Sequence, residues 1–224
     1  MAGSQLWNSF PELVVIIQKD HKRQQPLSFG GHDFGHALGV AQYAAMIAED
    51  EKTGTLGWVA GLCHNTDRIF PGSSDEEIEK KIREYLNATS FEDREKSLIV
   101  EAVLEHPKKN DPNDNPVTII LKDADRLDNL GALVCLRSAQ LYHNMPAVDY
   151  IHLFSDPNAT FKNPGSVAKD IAHLLEWEPW LRLPKAKILA APKFAFLKSF
   201  LQEIEHELRE KGLYPYPFAP DEEL

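Results

Sequence analysis

Three short polar tracts hold the residues whose types and spacing could do chemistry. In the first tract, residues 31–40, His32 and His36 are four positions apart. On a helix they share one face, as metal-binding histidine pairs do. The pair alone is weak evidence, because one capping and one packed histidine explain it as well. Asp33 offers a carboxylate that either caps the helix or orients a histidine ring.

The second tract, residues 60–68, is an apolar segment that runs directly into polar side chains. His64, Asn65, Asp67 and Arg68 follow its last apolar residues. A core helix that ends in this way either emerges into solvent or lines a pocket. A pocket lined by these side chains would be suited to metal or anion binding.

The third tract, residues 121–131, places three aspartates near the start of an apolar helix. Acidic residues favour the positive end of a helix dipole, which explains Asp123 as part of a helix entrance. Asp125 lies next to the predicted inward face, where an ionised carboxylate without a cation is costly. Asp125 is therefore a candidate metal ligand.

In this order and separation, the three tracts resemble the HD-domain superfamily of metal-dependent phosphohydrolases. That family carries a histidine on one helix, a His-Asp doublet at the end of a later helix and an aspartate on a helix downstream. The resemblance covers roughly residues 10–140 and implies that His36, His64 and Asp125 hold a divalent metal ion. The chain departs from the pattern at Asn65, where the family has aspartate. Asn65 offers a neutral carbonyl oxygen as a fourth ligand, so hard cations such as Mg²⁺ should bind more weakly.

The resemblance implies one divalent metal ion as cofactor, drawn from Fe, Mn, Ni, Zn or Mg. It also implies hydrolysis of a small phosphorylated metabolite, with a nucleotide as the leading expectation, through a metal-activated water. Arg68 is the first candidate for stabilising phosphoryl charge, and Asp67 is a candidate general base. Lys122 and Arg126, four residues apart around Asp125, are predicted to bind the substrate.

Several alternatives remain open at this point. His32, His106 and Asp123 are each compatible with a role in the site or with capping and packing. Because of Asn65, the chain is also compatible with a catalytically impaired metal- or ligand-binding protein of the same fold. An oxygen-using enzyme with paired irons is disfavoured, since the bridging carboxylate is missing. A purely structural protein ranks last, because it leaves the polar residues at three helix ends unexplained.

Composition and charge narrow the classes of partner. The 224 residues carry a net charge of −10, which argues against polymeric nucleic acid and anionic membranes as partners. A small phosphorylated ligand stays compatible, because one local cationic group would suffice. The two cysteines cannot build a disulfide framework, and residues 1–10 show no signal peptide. We therefore expect a cytoplasmic globular protein, with its oligomeric state, including a homo-oligomer, left open.

Helical periodicity extends over nearly the whole chain, and long alternating stretches typical of strands are absent from the sequence. The predicted fold is all-α, an HD-domain-like helical bundle with a C-terminal helical elaboration. We expect a single domain over residues 1–224, with its core at about 10–145 and the extension at about 146–224. The predicted helices cover about 11–23, 32–52, 56–63, 75–87, 91–106, 117–142, 147–154, 165–180 and 184–211. Between them the sequence predicts a turn at 28–31, polar loops at 64–74 and 107–116, and an extended tail at 214–220.

Overall fold

A computed structural model describes residues 2–24, 32–156 and 158–218. The predicted turn at 28–31 and the last two residues of the predicted tail lie outside these ranges. Within them the chain forms helices, turns and two isolated β-bridges, with no strand. The all-α fold class is therefore confirmed. The same ranges contain no helix that is both long enough and apolar enough to cross a membrane.

Eleven α-helices and one 3-10 helix follow one another in these ranges. They are α1 (Ala2–Ser9), α2 (Pro11–Gln24), α3 (Phe34–Ile47), α4 (Glu51–Cys63), α5 (Thr66–Ile69), α6 (Asp75–Leu86), α7 (Asp93–Glu105), α8 (Pro116–Asp128), α9 (Ala132–Leu141), α10 (Val167–His173), the 3-10 helix Leu174–Trp180, and α11 (Pro184–Glu210).

Helices α3, α4 and α8 form the centre of the structure, and two glycines on α4 let them approach closely. A Cβ atom at Gly61 would lie 2.7 Å from the backbone of Ala41 on α3. A Cβ atom at Gly57 would lie 2.8 Å from Cγ2 of Ile120 on α8. Because a larger residue would push the helices apart, the glycines bring the side chains at the ends of these three helices within reach of one another.

The hydrophobic core extends from the N-terminal helices to the last helix. Leu13 and Ile17 of α2 and Phe194 and Leu197 of α11 are almost fully buried in the same cluster of apolar side chains. Burial of each such side chain contributes about 2 kcal/mol relative to an exposed position. Helix α11 therefore covers the core that the central helices build.

Local sequence signals set several helix starts. The carboxylate of Asp33 accepts the backbone N–H of His36 at 2.8 Å and caps α3. Ser74 and Glu77 form a capping box at the start of α6. Asn115 caps α8 at 2.9 Å from the nitrogen of Thr118, and Pro116 occupies its first turn. Of the two roles predicted as alternatives for Asp33, the structure shows the helix cap.

Two of the predicted long helices are wrong. The helix predicted over 32–52 ends at Ile47, and Asp50 caps the separate helix α4 by accepting the N–H of Thr53. The helix predicted over 117–142 is broken at Gly131, whose φ of 88° belongs to the left-handed region. Hydrophobic periodicity continues through both breaks, which hides them in the sequence.

The helix predicted over 147–154 is also wrong. This segment consists of turns and an isolated bridge between Asp149 and Leu153. The buried ammonium group of Lys169 lies 2.5 Å from Oδ2 of Asp149 and 3.0 Å from Oδ2 of Asp156. Both aspartates also accept backbone N–H groups from residues that follow them. These local contacts compete with a helix, since they use the backbone donors in turns.

Candidate metal centre

The side chains of His36, His64 and Asp125 converge from α3, from the C-terminal end of α4 and from α8. The Nε2 atoms of the two histidines are 3.2 Å apart. Oδ1 of Asp125 lies 3.3 Å from Nε2 of His36 and 3.9 Å from Nε2 of His64. Among the described residues, they form the only group of three histidine, cysteine or carboxylate side chains whose donor atoms all lie within 4.8 Å of one another. We call these three residues the metal cluster.

Hydrogen bonds at the far side of each ring orient the two histidines. Nδ1 of His64 donates to the carbonyl of Gly61 at 2.7 Å, and a carbonyl oxygen can only accept. Nδ1 of His36 donates to Oδ2 of Asp128 at 2.7 Å. In the neutral rings, both Nε2 atoms therefore present lone pairs to each other and to Asp125. Three acceptors that face one another in this way repel unless a positive charge lies between them.

The pKa shifts of the three residues in the metal cluster also indicate that a positive charge is stabilised between them. Burial lowers the pKa of His36, but the carboxylates of Asp125 and Asp128 outweigh it and raise the net value to about 9. Burial holds the pKa of His64 well below its ordinary value. Burial also opposes ionisation of Asp125, yet the hydrogen bond from His36 and the nearby imidazoles lower its pKa. A proton on His36 thus occupies the place that a metal ion takes, and His64 stays neutral as a ligand requires.

The donor set and spacing fit a divalent metal ion. Ligand atoms at about 2.1 Å from one ion lie roughly 3.0–3.4 Å apart. Two of the three separations, 3.2 Å and 3.3 Å, fall in that range, and the third, 3.9 Å, is somewhat wider. Two imidazoles and one carboxylate suit Fe²⁺, Mn²⁺, Ni²⁺ or Zn²⁺ better than Mg²⁺, which prefers oxygen ligands.

Asp128 and Arg137, neither of which has a role predicted from the sequence, complete the surroundings of His36. Asp128 lies three residues after Asp125, so both carboxylates share one face of α8. Nη1 of Arg137, on α9, is 2.6 Å from Oδ2 of Asp128. The spacing of the aspartates is a signal that could have suggested Asp128. Arg137 lies beyond the helix break at Gly131 and carries no such signal.

Asn65 follows His64 directly and is buried, with 2% of its surface exposed. Its amide nitrogen lies 3.5 Å from the carbonyl oxygen of His32. This contact turns the amide nitrogen towards the segment that leads into α3. The prediction that Asn65 is a metal ligand stays a prediction.

Asp67 and Arg68 lie on the short helix α5, within the segment predicted as a polar loop. Their side chains are about half exposed, and Oδ2 of Asp67 is 3.5 Å from Nε of Arg68. Both charges act on the ring of His32, whose pKa falls to about 4 through burial, the neighbouring His36 and Arg68. Their predicted catalytic roles stay predictions.

His32 and His106 flank the metal cluster. The ring centroids of His32 and His36 are 5.7 Å apart, and those of His64 and His106 are 5.3 Å apart. Nδ1 of His106 donates to the carbonyl of Val103 at 2.6 Å. The four imidazoles therefore form a row of edge-to-face contacts in which the two central rings belong to the cluster.

Lys122 and Arg126, predicted to bind substrate, instead have structural partners in the fold. Nζ of Lys122 is fully buried and lies 2.9 Å from both carboxylate oxygens of Asp114. Nη1 of Arg126 lies 3.3 Å from Oδ1 of Asp123 and 3.1 Å from the carbonyl of Trp180. This geometry lends no support to a substrate role for either residue, because both cations are engaged away from the metal cluster.

Asp123 and Arg182 belong to the same group of charges. Oδ2 of Asp123 accepts the backbone N–H groups of Arg182 and Leu183, which lead into α11. The guanidinium of Arg182 lies 2.8 Å from Asp114. This group anchors α11 and the loop after α7 to α8. We call Asp114, Lys122, Asp123, Arg126 and Arg182 the anchor cluster.

Comparison with known proteins places the fold and the site in a family. Residues 33–130 match the family model of the HD domain, and these residues carry all three members of the metal cluster. A comparison with curated proteins found no significant match. This match confirms the resemblance of the motifs to the HD domain over residues 33–130.

Solved structures share the fold over most of the chain. YpgQ from Bacillus subtilis, solved in complex with ADP, is 18% identical, with a TM-score of 0.63 over 92% of this chain and 97% of its own. An HD-superfamily hydrolase from Bacillus thuringiensis is 19% identical, with a TM-score of 0.64 over 91% and 98%. A predicted HD superfamily hydrolase from an uncultured Thermotogales bacterium is 20% identical, with a TM-score of 0.57 over 88% and 92%. The chain therefore has the all-α fold of HD-superfamily hydrolases.

Proposed function

We propose that this protein is a metal-dependent phosphohydrolase that acts on a small phosphorylated metabolite, with a nucleotide as the substrate class. One observation carries the proposal. Two imidazole nitrogens and one carboxylate oxygen face one another within 3.9 Å, each ring held by a hydrogen bond at its other nitrogen. Such an arrangement of acceptors demands a cation, and a bound divalent ion supplies Lewis-acid activation of phosphoryl oxygen and water.

The nucleotide as substrate class is supported by one relative and by the charge of the chain. YpgQ, which shares the fold, was solved in complex with ADP. The net charge of −10 disfavours polymeric nucleic acid and anionic membranes, yet leaves a small phosphorylated molecule compatible. We accordingly propose a small cytoplasmic substrate and no polymeric partner.

The exposure of the side chains indicates which residues would bind the metal and which would contact the substrate. His36 and His64 are almost fully buried, whereas 26% of the Asp125 side chain is exposed. Substrate therefore approaches from the side of Asp125. Arg68, half exposed on α5, stabilises charge on the phosphoryl group, and Asp67 beside it accepts a proton from the attacking water.

The test is phosphate release from a panel of nucleoside mono-, di- and triphosphates and simple phosphate esters. Wild type and His64→Ala are assayed with Mn²⁺, Fe²⁺, Ni²⁺, Zn²⁺ and Mg²⁺ in turn. We expect activity in the wild type that His64→Ala loses, which separates it from contaminating phosphatases. If the wild type and Asn65→Asp both release no phosphate with any metal, the phosphohydrolase proposal fails.

Asn65 favours a second candidate function, a catalytically impaired protein that binds a metal or ligand on the same fold. An amide supplies no negative charge to the ion, and the nitrogen of this amide lies 3.5 Å from the carbonyl of His32. Asn65→Asp restores the anionic oxygen that the family pattern has at this position. Phosphate release by Asn65→Asp alone, with an inactive wild type, would select this second candidate.

A further inference from the structure

We propose that Arg137 is a positioning residue for His36 and acts on it through the carboxylate of Asp128. The inference rests on the proposed function, because it concerns the metal cluster. The contacts form a chain from α9 to α3 through the end of α8. Oδ2 of Asp128 accepts from Nη1 of Arg137 at 2.6 Å and from Nδ1 of His36 at 2.7 Å. A single carboxylate oxygen thus joins the guanidinium to the imidazole.

Arg137 holds the main chain of Asp128 as well as its side chain. Nη1 of Arg137 donates to the carbonyl oxygen of Asp128 at 2.9 Å. Two contacts from one nitrogen fix both the position of the residue and the rotamer of its side chain. The carboxylate of Asp128 cannot turn away from His36 while both contacts are kept.

The charge of Arg137 gives Asp128 its role as a pure acceptor. The Asp128 side chain is only 8% exposed, and a carboxylate at such a depth is stable in its ionised form when a cation accompanies it. An ionised carboxylate accepts hydrogen bonds and cannot donate them. It therefore requires the proton of His36 at Nδ1, which leaves Nε2 as the atom directed at the metal.

Gly39 provides the space in which Asp128 lies. It is three residues after His36 on α3, and a Cβ atom there would overlap Oδ1 of Asp128. One oxygen of the carboxylate therefore lies against the backbone of α3, while the other bridges Arg137 and His36. The glycine, the aspartate and the arginine form one unit that sets the orientation of a single ligand ring.

A merely structural role for Arg137 is the competing explanation. Arg137 also ties α9 to the end of α8 across the break at Gly131. Loss of that tie would lower the free energy of unfolding and leave the metal affinity of the folded protein unchanged. Metal affinity and unfolding must therefore be measured on the same variants.

The experiment measures Co²⁺ affinity by competition with a chromophoric chelator, together with thermal unfolding of the metal-free protein. The variants are Arg137→Gln, Asp128→Asn and the double substitution. Loss of a residue that supports a metal ligand typically lowers affinity by about 10- to 100-fold. We expect each single variant to fall in that range. Nη1 of Arg137 also lies 3.5 Å from Nδ1 of His36, but both atoms are donors, so this contact is not a hydrogen bond. The double variant should therefore lose less than about threefold more than Asp128→Asn, because Arg137 acts through Asp128.

Arg182→Gln is the matched control. Arg182 pairs with Asp114, which is 3% exposed, at 2.8 Å, so the same substitution removes an equally buried ion pair elsewhere. We expect a similar loss of thermal stability and a Co²⁺ affinity within about twofold of the wild type. Arg137→Lys, which keeps the charge without the guanidinium geometry, should bind with an affinity between those of the wild type and Arg137→Gln.

Gly39→Ala tests the same unit without removing any charge. The added methyl group must displace Asp128, so we expect a weaker Co²⁺ affinity and an altered visible absorption spectrum of the bound ion. Wild-type affinity in Arg137→Gln, or strictly additive losses in the double variant, would overturn the inference. If the wild type binds Co²⁺ with these dependences but hydrolyses nothing, the proposed phosphohydrolase activity fails and the positioning role stands.

Discussion

Helix α8 carries two polar clusters on different faces, and they match donors with acceptors in different ways. In the anchor cluster, the two carboxylates of Asp114 and Asp123 contact three cations and three backbone N–H groups. Around the metal cluster, the carboxylates of Asp125 and Asp128 are contacted by a single arginine, Arg137. Both neutral imidazoles direct the lone pair of Nε2 towards Asp125. Every carboxylate of the first cluster has donors in the protein, whereas the three facing acceptor atoms of the second require a proton or a metal ion between them.

This difference separates a structural use of aspartate from a functional one. Both clusters contain aspartates from the same tract of sequence, and both are buried. A buried carboxylate that is surrounded by donors stabilises the fold. A buried carboxylate that faces other acceptors is stable only with a proton or a metal ion between them. Whether the groups around a buried carboxylate are donors or acceptors therefore indicates its role, which the residue type alone does not.

The largest effect should come from removing a ligand of the metal cluster. His64→Ala takes away one of the three donor atoms, and its metal affinity should fall by more than about 100-fold, since the loss of a residue that only supports a ligand already costs about 10- to 100-fold. Elemental analysis after native purification checks this. His173→Ala, a histidine on α10 outside the cluster, should keep about one ion per chain. If the purified wild type holds no metal, the conclusion that the metal cluster binds a cation, unlike the anchor cluster, is wrong.

Removal of a cation from the anchor cluster should affect the fold and leave the site intact. Lys122→Met strips one of two cations from buried Asp114, and we expect a loss of about 2 kcal/mol in the free energy of unfolding. Metal affinity and KM should stay at wild-type values, contrary to the predicted substrate role. Urea unfolding measures the first quantity. Lys52→Met, which removes a surface pair with Glu95, should leave the free energy of unfolding nearly unchanged, because solvent screens an exposed pair. A raised KM in Lys122→Met would restore the substrate role.

Counted per pH unit, the smallest of the three effects is the pH dependence of metal binding. In the metal-free protein the pKa of His36 is raised to about 9, so an ion must displace one proton from it. Apparent Co²⁺ affinity should therefore rise about tenfold per pH unit between pH 6 and 8 and level off above pH 9. The lowered pKa of His64 means that it releases no further proton in this range. Titration calorimetry in two buffers counts the protons, and an affinity that does not change with pH would contradict the account.

The existence and type of most helices could be predicted from the sequence. Caps and apolar periodicity suffice where a helix starts with a local signal, as Ser74 does for α6 and Pro184 does for α11. Helix breaks were missed at Ala48–Asp50 and at Gly131, because the apolar pattern continues across both. The segment around Asp149 was misassigned, since its non-helical path depends on a contact with Lys169, twenty residues away.

The candidate site could be predicted in part. Its three donor residues were named because the order and separation of three polar tracts resemble the HD-domain pattern. Arg137 was missed, since its contact with Asp128 passes over the break at Gly131. Lys122 and Arg126 were assigned to the substrate because they flank Asp125 in sequence. In the structure, however, Lys122 contacts Asp114 and Arg126 contacts Asp123, and the sequence carries no signal for either pairing.

The sequence by itself determined that the chain is helical, that its polar tracts resemble those of the HD domain, and which three side chains can act as donors. Those properties follow from residue types at short spacing. Only the tertiary structure decided which polar groups are already matched. Whether Asp123, Asp125 or Asp128 faces donors or acceptors depends on side chains that α3, α9 and α11 bring from distant parts of the chain. That matching assigns Asp123 to the anchor, Asp125 to the metal cluster and Asp128 to the support of His36.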